Sequence, residues 1–303
     1  MPLNTRIYFA PLQSFTTIPY YLAYAKIVGG VDKYFTPFYR VEKDGKFSFD
    51  KQLCTQSTIN LIPQVLTNEG SALVSFASQM VERGFKEINL NLGCPFPMVV
   101  NRQLGSGLLP YPEKVEQMLQ CFYAQNIPIK LSIKLRLGLK APMELKSIVD
   151  VLNRYPVEEL ILHPRLGVQK YKGVPDWTLF DEHCNQANWV GNGDITSLLR
   201  LKELESQFVD VKAWMIGRGL LMNPCMLQPQ LNWKDTMVGL HDLFLDNLRS
   251  FGLSDHQILN QLKCFWEYPS MYQDGGLRLY RKMKKVGKIE DYQILKEKLL
   301  ELV

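Results

Sequence analysis

Eight short apolar runs recur along the chain as far as Gly219, and polar residues or glycines follow each of them. Stretches with the apolar spacing of helices separate the runs. Strands that alternate with amphipathic helices are typical of a parallel sheet, and eight such units predict an α/β fold, the (β/α)8 barrel. The runs are IYFAPL from Ile7, YFTPFYRV from Tyr34, INLIPQVL from Ile59, EINLNLGCP from Glu87, LSIKLRL from Leu131, ELILHPR from Glu159, WVGNGDI from Trp189 and AWMIGRG from Ala213.

The remainder of the chain has a different pattern. A barrel needs roughly 250 residues, so a chain of 303 residues has room for a small second domain. From about Leu231 onward only helical patterns occur, after the proline-bearing stretch MNPCMLQPQLNW. We therefore predict a barrel over residues 1–228 and a small C-terminal all-helical domain over 229–303. The predicted helices span 71–83, 113–124, 144–152, 198–208, 236–251, 255–268 and about 292–300.

Composition narrows the class of protein. The chain is 46% hydrophobic and 21% charged, which is ordinary for a globular protein. Its start, MPLNTRIYFAPL, lacks the layout of a signal peptide, and no apolar run approaches the roughly 18 residues of a membrane span. We expect a soluble, cytoplasmic monomer. Its cysteines lack CxxC spacing, which argues against zinc or iron–sulfur and predicts no metal; they are Cys54, Cys94, Cys121, Cys184, Cys225 and Cys264.

Positive charge is concentrated near the C-terminus. The segment RLYRKMKKVGK, residues 278–288, carries six basic residues and no acidic one, within a net charge of +5. On charge alone it is either a solvated helix face or a patch that attracts a polyanion, with Tyr280 and arginines of the barrel mouth extending it.

Catalytic groups of such barrels lie at the carboxyl ends of the strands. The residues at the ends of the eight runs are therefore the first candidates for an active site. They are Gln13, Gln64, Asn91, Cys94, Lys134, Arg136, His163, Arg165, Asn192, Asp194 and Arg218.

The thiol of Cys94 is the candidate with the clearest chemistry. Gly93 and Pro95 flank it and allow a sharp turn that presents the side chain to the barrel mouth. A buried thiol that keeps its proton can act as a general acid, whereas a nucleophile would need an adjacent base. No histidine is near in sequence, so we expect an acid.

Two cations share the inward face of the fifth strand, because Lys134 and Arg136 are two residues apart. Buried cations need anionic partners, so they either pair with internal carboxylates or hold a ligand. Lys134 could instead form a Schiff base, as in barrel aldolases. His163 lies at the next strand end. Its presence beside Lys134 and Cys94 favours the interpretation that these residues contact a ligand.

The turns GNGDI and IGRG end the seventh and eighth strands, where barrels commonly bind phosphate. Their glycines allow close approach to the backbone, and Arg218 adds a positive charge. The two turns together predict a phosphate-bearing ligand. There is no GxGxxG after the first strand, and so no dedicated dinucleotide-binding fold.

In combination these motifs resemble those of the tRNA-dihydrouridine synthases, FMN-dependent barrels that reduce uridines in tRNA. APLQSFTT is similar to the first-strand signature of that family, and NLGCP matches its cysteine motif. KLR, HPRLGVQKYKG, NGDI and IGRG follow in the same order, and KCFWEY resembles a segment of the helical domain. The chain departs from the family at FPM after Cys94-Pro95, where lysine is usual.

The resemblance implies a role for each matching residue. Cys94 would protonate C5 of uracil while flavin N5 delivers hydride to C6, with NADPH as the transient reductant. Asn91, Arg136 and Tyr171 would be candidates for gripping the base, and Arg165 is a further predicted substrate-binding residue. By their charge, Arg281, Lys282, Lys284 and Lys285 would hold the tRNA body. FMN would be bound by Pro11, Leu12, Gln13, Gln64, Lys134, His163, Asn192, Gly193, Asp194, Gly217 and Arg218.

Three other hypotheses remain open on the sequence. One is a flavin-dependent dehydrogenase of a free pyrimidine such as dihydroorotate, which would not need a basic helical tail. Another is a flavin-free Schiff-base aldolase that uses Lys134. The third, from a different class, is an RNA-binding protein with a lapsed active site, against which the retained Cys94, Lys134 and His163 count.

Overall fold

The computed structural model describes residues 5–42, 45–50, 53, 58–183 and 188–302, and its sheet is the predicted barrel. All pairings between its strands are parallel. The order around the sheet is β3, β2, β1, β9, β8, β7, β6, β5, β4 once the strands are numbered along the chain. The strands are β1 Arg6–Phe9, β2 Lys33–Phe35, β3 Leu61–Ile62, β4 Gln64–Val65, β5 Glu87–Leu92, β6 Lys130–Gly138, β7 Leu160–Leu166, β8 Trp189–Asn192 and β9 Ala213–Ile216.

Pro63 divides the third predicted run into β3 and β4, and the barrel closes there. Leu61 pairs with Tyr34 of β2, whereas Gln64 pairs with Asn89 of β5. Proline has no N–H to donate, but its carbonyl accepts from the Asn89 amide at 2.9 Å. The chain therefore changes partner strand at this residue, and nine short strands behave as a closed ring of eight.

Each helical stretch predicted from apolar spacing is a helix in the structure, with ends shifted by up to about three residues, the usual uncertainty of such boundaries. Uniformly apolar α1 lacks the amphipathic spacing that would predict it. The helices are α1 Ile18–Ile27, α2 Gly70–Glu82, α3 Pro97–Val100, α4 Pro112–Tyr123, α5 Met143–Leu152, α6 Trp177–His183, α7 Leu198–Gln207, α8 Arg218–Met222, α9 Trp233–Ser250, α10 Asp255–Phe265, α11 Pro269–Tyr272, α12 Gly276–Met283 and α13 Ile289–Leu300.

Charged side chains form the floor of the barrel, at the amino-terminal ends of the strands. Lys33 Nζ lies 2.7 Å from Glu87 Oε2 and 2.8 Å from Glu159 Oε2, and all three side chains are almost fully buried. Tyr8 donates to Glu159 at 2.6 Å, and Arg6 approaches the same carboxylate. The cluster neutralises itself internally, so it needs no ligand.

The helical region packs directly on the barrel. The Tyr20 ring of α1 meets Phe244 of α9 at 5.8 Å, and Asn247 Nδ2 donates to the carbonyl of Pro19 at 2.9 Å. One apolar cluster runs through both parts. The domain boundary after residue 228 stays a prediction.

Several composition-based predictions concern residues outside the described ranges. Cys54, Cys184 and the first four residues are among them. Within the described ranges, no helix combines the length and the apolar character needed to cross a bilayer. In the same ranges, no group of three histidine, cysteine or acidic side chains is arranged to hold a metal ion.

Candidate active site

A cleft at the carboxyl ends of the strands brings most of the predicted site residues together. It consists of two adjoining hollows with Leu12, Lys134, His163 and Tyr171 as common walls. The first, called here the thiol subsite, is also lined by Pro11, Gln13, Gln64, Asn91, Cys94 and Arg136. The second, called here the glycine subsite, is also lined by Asn192, Gly193, Asp194, Gly217 and Arg218.

A chain of amides fixes the loop that carries Cys94. Asn91 Oδ1 accepts from the backbone amides of Gly93 at 3.0 Å and Cys94 at 2.9 Å. Asn91 Nδ2 donates to Gln64 Oε1 at 2.7 Å, and Gln64 Nε2 donates to Asn89 Oδ1 at 2.7 Å. Asn91 lines the cleft, and its predicted contact with a base stays a prediction; in the structure its carboxamide bonds these protein groups. Its role in this structure is to position the thiol loop.

The thiol of Cys94 lies in a small apolar cluster with Leu66 and Val99. Burial raises its pKa, although the backbone near Phe96 and the charges of Arg136 and Lys134 oppose the rise. Behind it, Gly105 has φ +56°, and a Cβ there would lie 2.6 Å from the Cys94 carbonyl oxygen. The loop is therefore closely supported, and the thiol holds its proton at neutral pH.

Lys134 is a half-buried cation without a carboxylate partner among the described residues. In the part of the chain that the structure describes, its ammonium makes no hydrogen bond or ion pair with protein. Burial, followed by repulsion from Arg136, lowers the Lys134 pKa to about 7. The inward pair of cations predicted from strand spacing thus faces the cleft rather than internal acids.

Arg136 ties two loops of the barrel mouth together. Its Nε donates to the Gly93 carbonyl at 2.9 Å, and its Nη1 donates to the carbonyls of Leu166 at 3.0 Å and Lys170 at 2.7 Å. Burial lowers its pKa to about 10, which still leaves it charged at neutral pH. Its Nη2 has no protein partner among the described residues, and this is the one group of Arg136 left for a ligand.

Arg165 was predicted to grip substrate, and this prediction is wrong. Its side chain is fully buried and forms a two-pronged ion pair with Asp194. Its Nη1 donates to His163 Nε2 at 3.1 Å, and its Nη2 donates to the Gly173 carbonyl. Sequence spacing could not show this, because Asp194 lies 29 residues away in the chain.

The same contacts define the state of His163. A guanidinium can only donate, so His163 Nε2 must be an acceptor and the ring proton lies on Nδ1. Burial, helped by the charges of Arg136, Lys134, Arg165 and Arg218, lowers the His163 pKa well below its usual value. His163 is therefore a neutral ring with one remaining donor.

Asp194 holds two arginines at the glycine subsite. Arg165 donates to both of its carboxylate oxygens, and Arg218 donates to Oδ1, which the two arginines share. Burial acts to raise its pKa, but the two arginines outweigh burial and lower it. Arg218 also lies over the ring of Tyr171, 4.8 Å from its centroid, and Arg136 lies 5.6 Å from the same ring. Tyr171 is thus held between two cations at the junction of the subsites.

The predicted tRNA-holding residues lie on or just after α12, away from the cleft lining. Arg281, Lys282, Lys284 and Lys285 are all exposed. Tyr280 was expected to extend this patch, but it is buried and donates to Glu267 Oε2 at 2.7 Å. The patch therefore consists of charged residues alone.

Aromatic residues at the cleft mouth were missed by sequence reasoning. Phe15, Phe38, Phe96 and Tyr268 line the thiol subsite. Tyr268 comes from the segment between α10 and α11, more than a hundred residues beyond Cys94. It is the last residue of KCFWEY, the segment that resembles part of the family's helical domain, but that resemblance did not predict a place in the cleft.

Comparison with known proteins identifies the family of the chain. Residues 44–243, about two thirds of the chain, match the family model described as "Dihydrouridine synthase (Dus)". The chain is 27% identical over 251 residues to "Probable tRNA-dihydrouridine synthase 2" of Bacillus subtilis (strain 168), covering 78% of this chain and 76% of that protein. It is 28% identical over 204 residues to "Probable tRNA-dihydrouridine synthase" of Staphylococcus aureus (strain N315), covering 65% of this chain and 61% of that protein.

Solved structures share the barrel at low sequence identity. The old yellow enzyme from Trypanosoma cruzi has a TM-score of 0.52 at 9% identity and covers 77% of this chain and 92% of its own. Morphinone reductase has a TM-score of 0.50 at 8% identity and covers 74% of this chain and 84% of its own. These two matches show the fold alone. The family is shown by the sequence model: this chain belongs to the dihydrouridine synthase family.

Proposed function

We propose that this protein is an oxidoreductase that reduces uridines in tRNA to 5,6-dihydrouridine, with FMN as cofactor and NADPH as reductant. The observation that carries the proposal is the cleft itself. It joins a protonated thiol, a half-buried cation with no partner among the described residues and a glycine-bounded hollow, in a chain of the dihydrouridine synthase family.

The residues of the cleft fit FMN. Lys134 lacks an anion among the described residues, and the pyrimidine end of a flavin would supply negative charge when the flavin is reduced. Gly193 and Gly217 leave backbone bare at the glycine subsite, where an added Cβ would lie 3.1 Å from His163 Cδ2 and 3.0 Å from Leu12 Cδ1. Arg218, partly exposed beside these glycines, would bind the phosphate.

The protein's own groups supply the proton. A bound flavin would provide the hydride that saturates C6 of the uracil. Cys94 holds the matching proton on Sγ. The side chain of Asn91, which accepts from the Cys94 amide, would position the thiol for C5, and the thiol regains a proton from solvent after transfer. Arg136 and Lys134 stabilise the thiolate in the interval, since both lower the Cys94 pKa. NADPH restores the electrons, so the overall reaction is balanced.

The substrate must be presented from outside the barrel. A stacked uracil cannot reach the cleft, so it has to be turned out of the RNA. The exposed cations of 281–285 would hold phosphates of the tRNA body, and we propose that residues 229–303 form the tRNA-binding domain beside a catalytic barrel of 1–228. We also propose a cytoplasmic monomer, since tRNA is modified there and one chain contains the whole cleft.

The test uses the purified full-length chain with FMN, NADPH and unmodified tRNA transcripts. Nucleosides are digested and dihydrouridine is measured by mass spectrometry. We expect a yellow protein that forms dihydrouridine in tRNA but reduces free uracil and orotate poorly. A colourless protein that binds no flavin, or one that prefers free pyrimidines, would contradict the proposal. Mapping dihydrouridine in tRNA from cells lacking the protein then identifies the position.

A further inference from the structure

One residue of the helical region reaches the catalytic cleft. Among the described residues after Gln228, Tyr268 alone lines the thiol subsite, and none lines the glycine subsite. It therefore shares a subsite with the groups predicted to act on the base, Cys94 and Arg136. This part of the wall of the thiol subsite comes from the segment between α10 and α11, outside the barrel strands.

Tyr268 is held from several sides without use of its own hydroxyl. Its ring meets the ring of Phe15 edge-on, with centroids 4.9 Å apart and planes at 76°. The preceding residue, Glu267, accepts a hydrogen bond from Tyr280 of α12. Before it, Trp266 is buried and donates to Tyr292 at 2.9 Å. Three consecutive residues thus anchor the tyrosine to the barrel loop, to α12 and to α13.

The hydroxyl of Tyr268 has no hydrogen-bond partner within the described ranges. Burial, with smaller effects of Tyr171, Arg218 and Glu267, raises its pKa to about 12, so it remains a donor at neutral pH. Tyr171, a common wall of the two subsites, lines the thiol subsite together with Tyr268. An aromatic face and a free donor at the cleft mouth are the two groups that proteins use to hold an unstacked nucleotide.

We propose that Tyr268 contacts the RNA substrate inside the cleft, with its ring against the nucleobase and its hydroxyl donating to an oxygen of that nucleotide. The helical region would then help to select the uridine as well as hold the tRNA body. Helix α12 carries part of the basic patch, and its Tyr280 is hydrogen-bonded to Glu267, the residue next to Tyr268. The same contact therefore connects the surface that would dock the RNA with the wall of the cleft. This inference rests on the proposed function.

The experiment compares Tyr268→Ala, Tyr268→Phe and a matched control, Tyr272→Ala. Tyr272 is an exposed tyrosine four positions further along that stacks on Trp233 and does not line the cleft. For each full-length variant we would measure kcat and KM for tRNA, bound flavin, tRNA affinity, and the rate at which NADPH reduces the flavin without RNA.

Loss of the ring should lower kcat/KM for tRNA by about 5- to 150-fold, the effect of one base–aromatic stack. Tyr268→Phe keeps the ring and should lose about 2- to 10-fold, the effect of one hydrogen bond. Flavin content and the RNA-free rate should stay close to wild type, as should every property of Tyr272→Ala. If Tyr268→Ala does not fold, Tyr268→Leu replaces it, because leucine retains an apolar contact with Phe15.

Two results would overturn the inference. One is unchanged kcat/KM in a folded ring-less variant. The other is a parallel loss of flavin or of the RNA-free rate, which would mean that Tyr268 serves the cofactor or the fold. A wild-type protein that forms no dihydrouridine at all would instead refute the proposed function, so the two failures are distinguishable.

Discussion

Replacing Cys94 by alanine is the most direct test of the chemistry. The thiol is buried in a small apolar cluster with Leu66 and Val99, so the substitution removes one buried atom of roughly methylene size. Its cost in folding free energy should be about 1 kcal/mol. Loss of a general acid slows turnover by about 10²–10⁴, which corresponds to about 3–5 kcal/mol in the activation barrier. The expected effect on catalysis therefore exceeds the effect on stability several-fold.

The assay follows dihydrouridine formed in tRNA under single-turnover conditions, together with the unfolding midpoint and bound flavin. Cys94→Ala should keep its flavin, fold normally and accept electrons from NADPH at the wild-type rate, because the thiol contributes only the proton. Cys94→Ser restores the volume but is a much weaker acid, so it should be nearly as slow. Because burial raises the pKa of the thiol, wild-type activity should decline only at alkaline pH, where the proton is lost. Normal turnover by Cys94→Ala would show that the acid is another group.

Three further predictions concern charge. In the wild type, flavin affinity should fall by up to about tenfold per pH unit above the Lys134 pKa of about 7. Lys134→Met should weaken flavin binding and abolish this pH dependence. Fluorescence titration measures the affinity, and a pH-independent wild type would contradict the prediction. Alanine at Arg281, Lys282, Lys284 and Lys285 should weaken tRNA binding and flatten its salt dependence by about 0.7–0.9 log units per lost phosphate contact. Alanine at exposed Lys146 and Lys202, the control, should do neither. An unchanged slope would mean that the patch is a solvated surface that does not contact the tRNA. Lys33→Met should cost about 3–5 kcal/mol in the free energy of unfolding, because Glu87 loses its cation. Since burial already raises the Glu87 pKa, this deficit should grow as pH rises, and Lys130→Met at an exposed ion pair should leave the unfolding midpoint nearly unchanged.

The barrel could be predicted from the sequence because its evidence is local. Each buried strand is a short apolar run with polar residues after it, and the structure has a strand at every one. The division at Pro63 was not foreseen, because the change of partner depends on strands remote in sequence. Helix α12 was not predicted as a separate helix. Its sequence did contain a signal, because Tyr280 and Met283 are three residues apart and form a buried apolar stripe opposite the cations.

Membership of the site was easier to predict than the role of each member. The parallel strands bring Cys94 and Lys134 to the same mouth of the barrel, whatever conformation the loops adopt. The roles of Asn91 and Arg165 depend on which polar groups the folded loops bring to them, and those groups are distant in sequence. Tyr268 shows the same limit, because its position in the cleft depends on how the helical region docks on the barrel.

The packing of α9 on α1 has a consequence for attempts to divide the protein. A fragment ending at Gln228 would leave the aromatic face of α1 around Tyr20 open to water, directly after the loop that carries Leu12 and Gln13. Such a fragment should self-associate and distort that loop. Grafting the C-terminal helices onto another enzyme, or exchanging them for those of a relative, would require the surface of α1 to be transplanted with them.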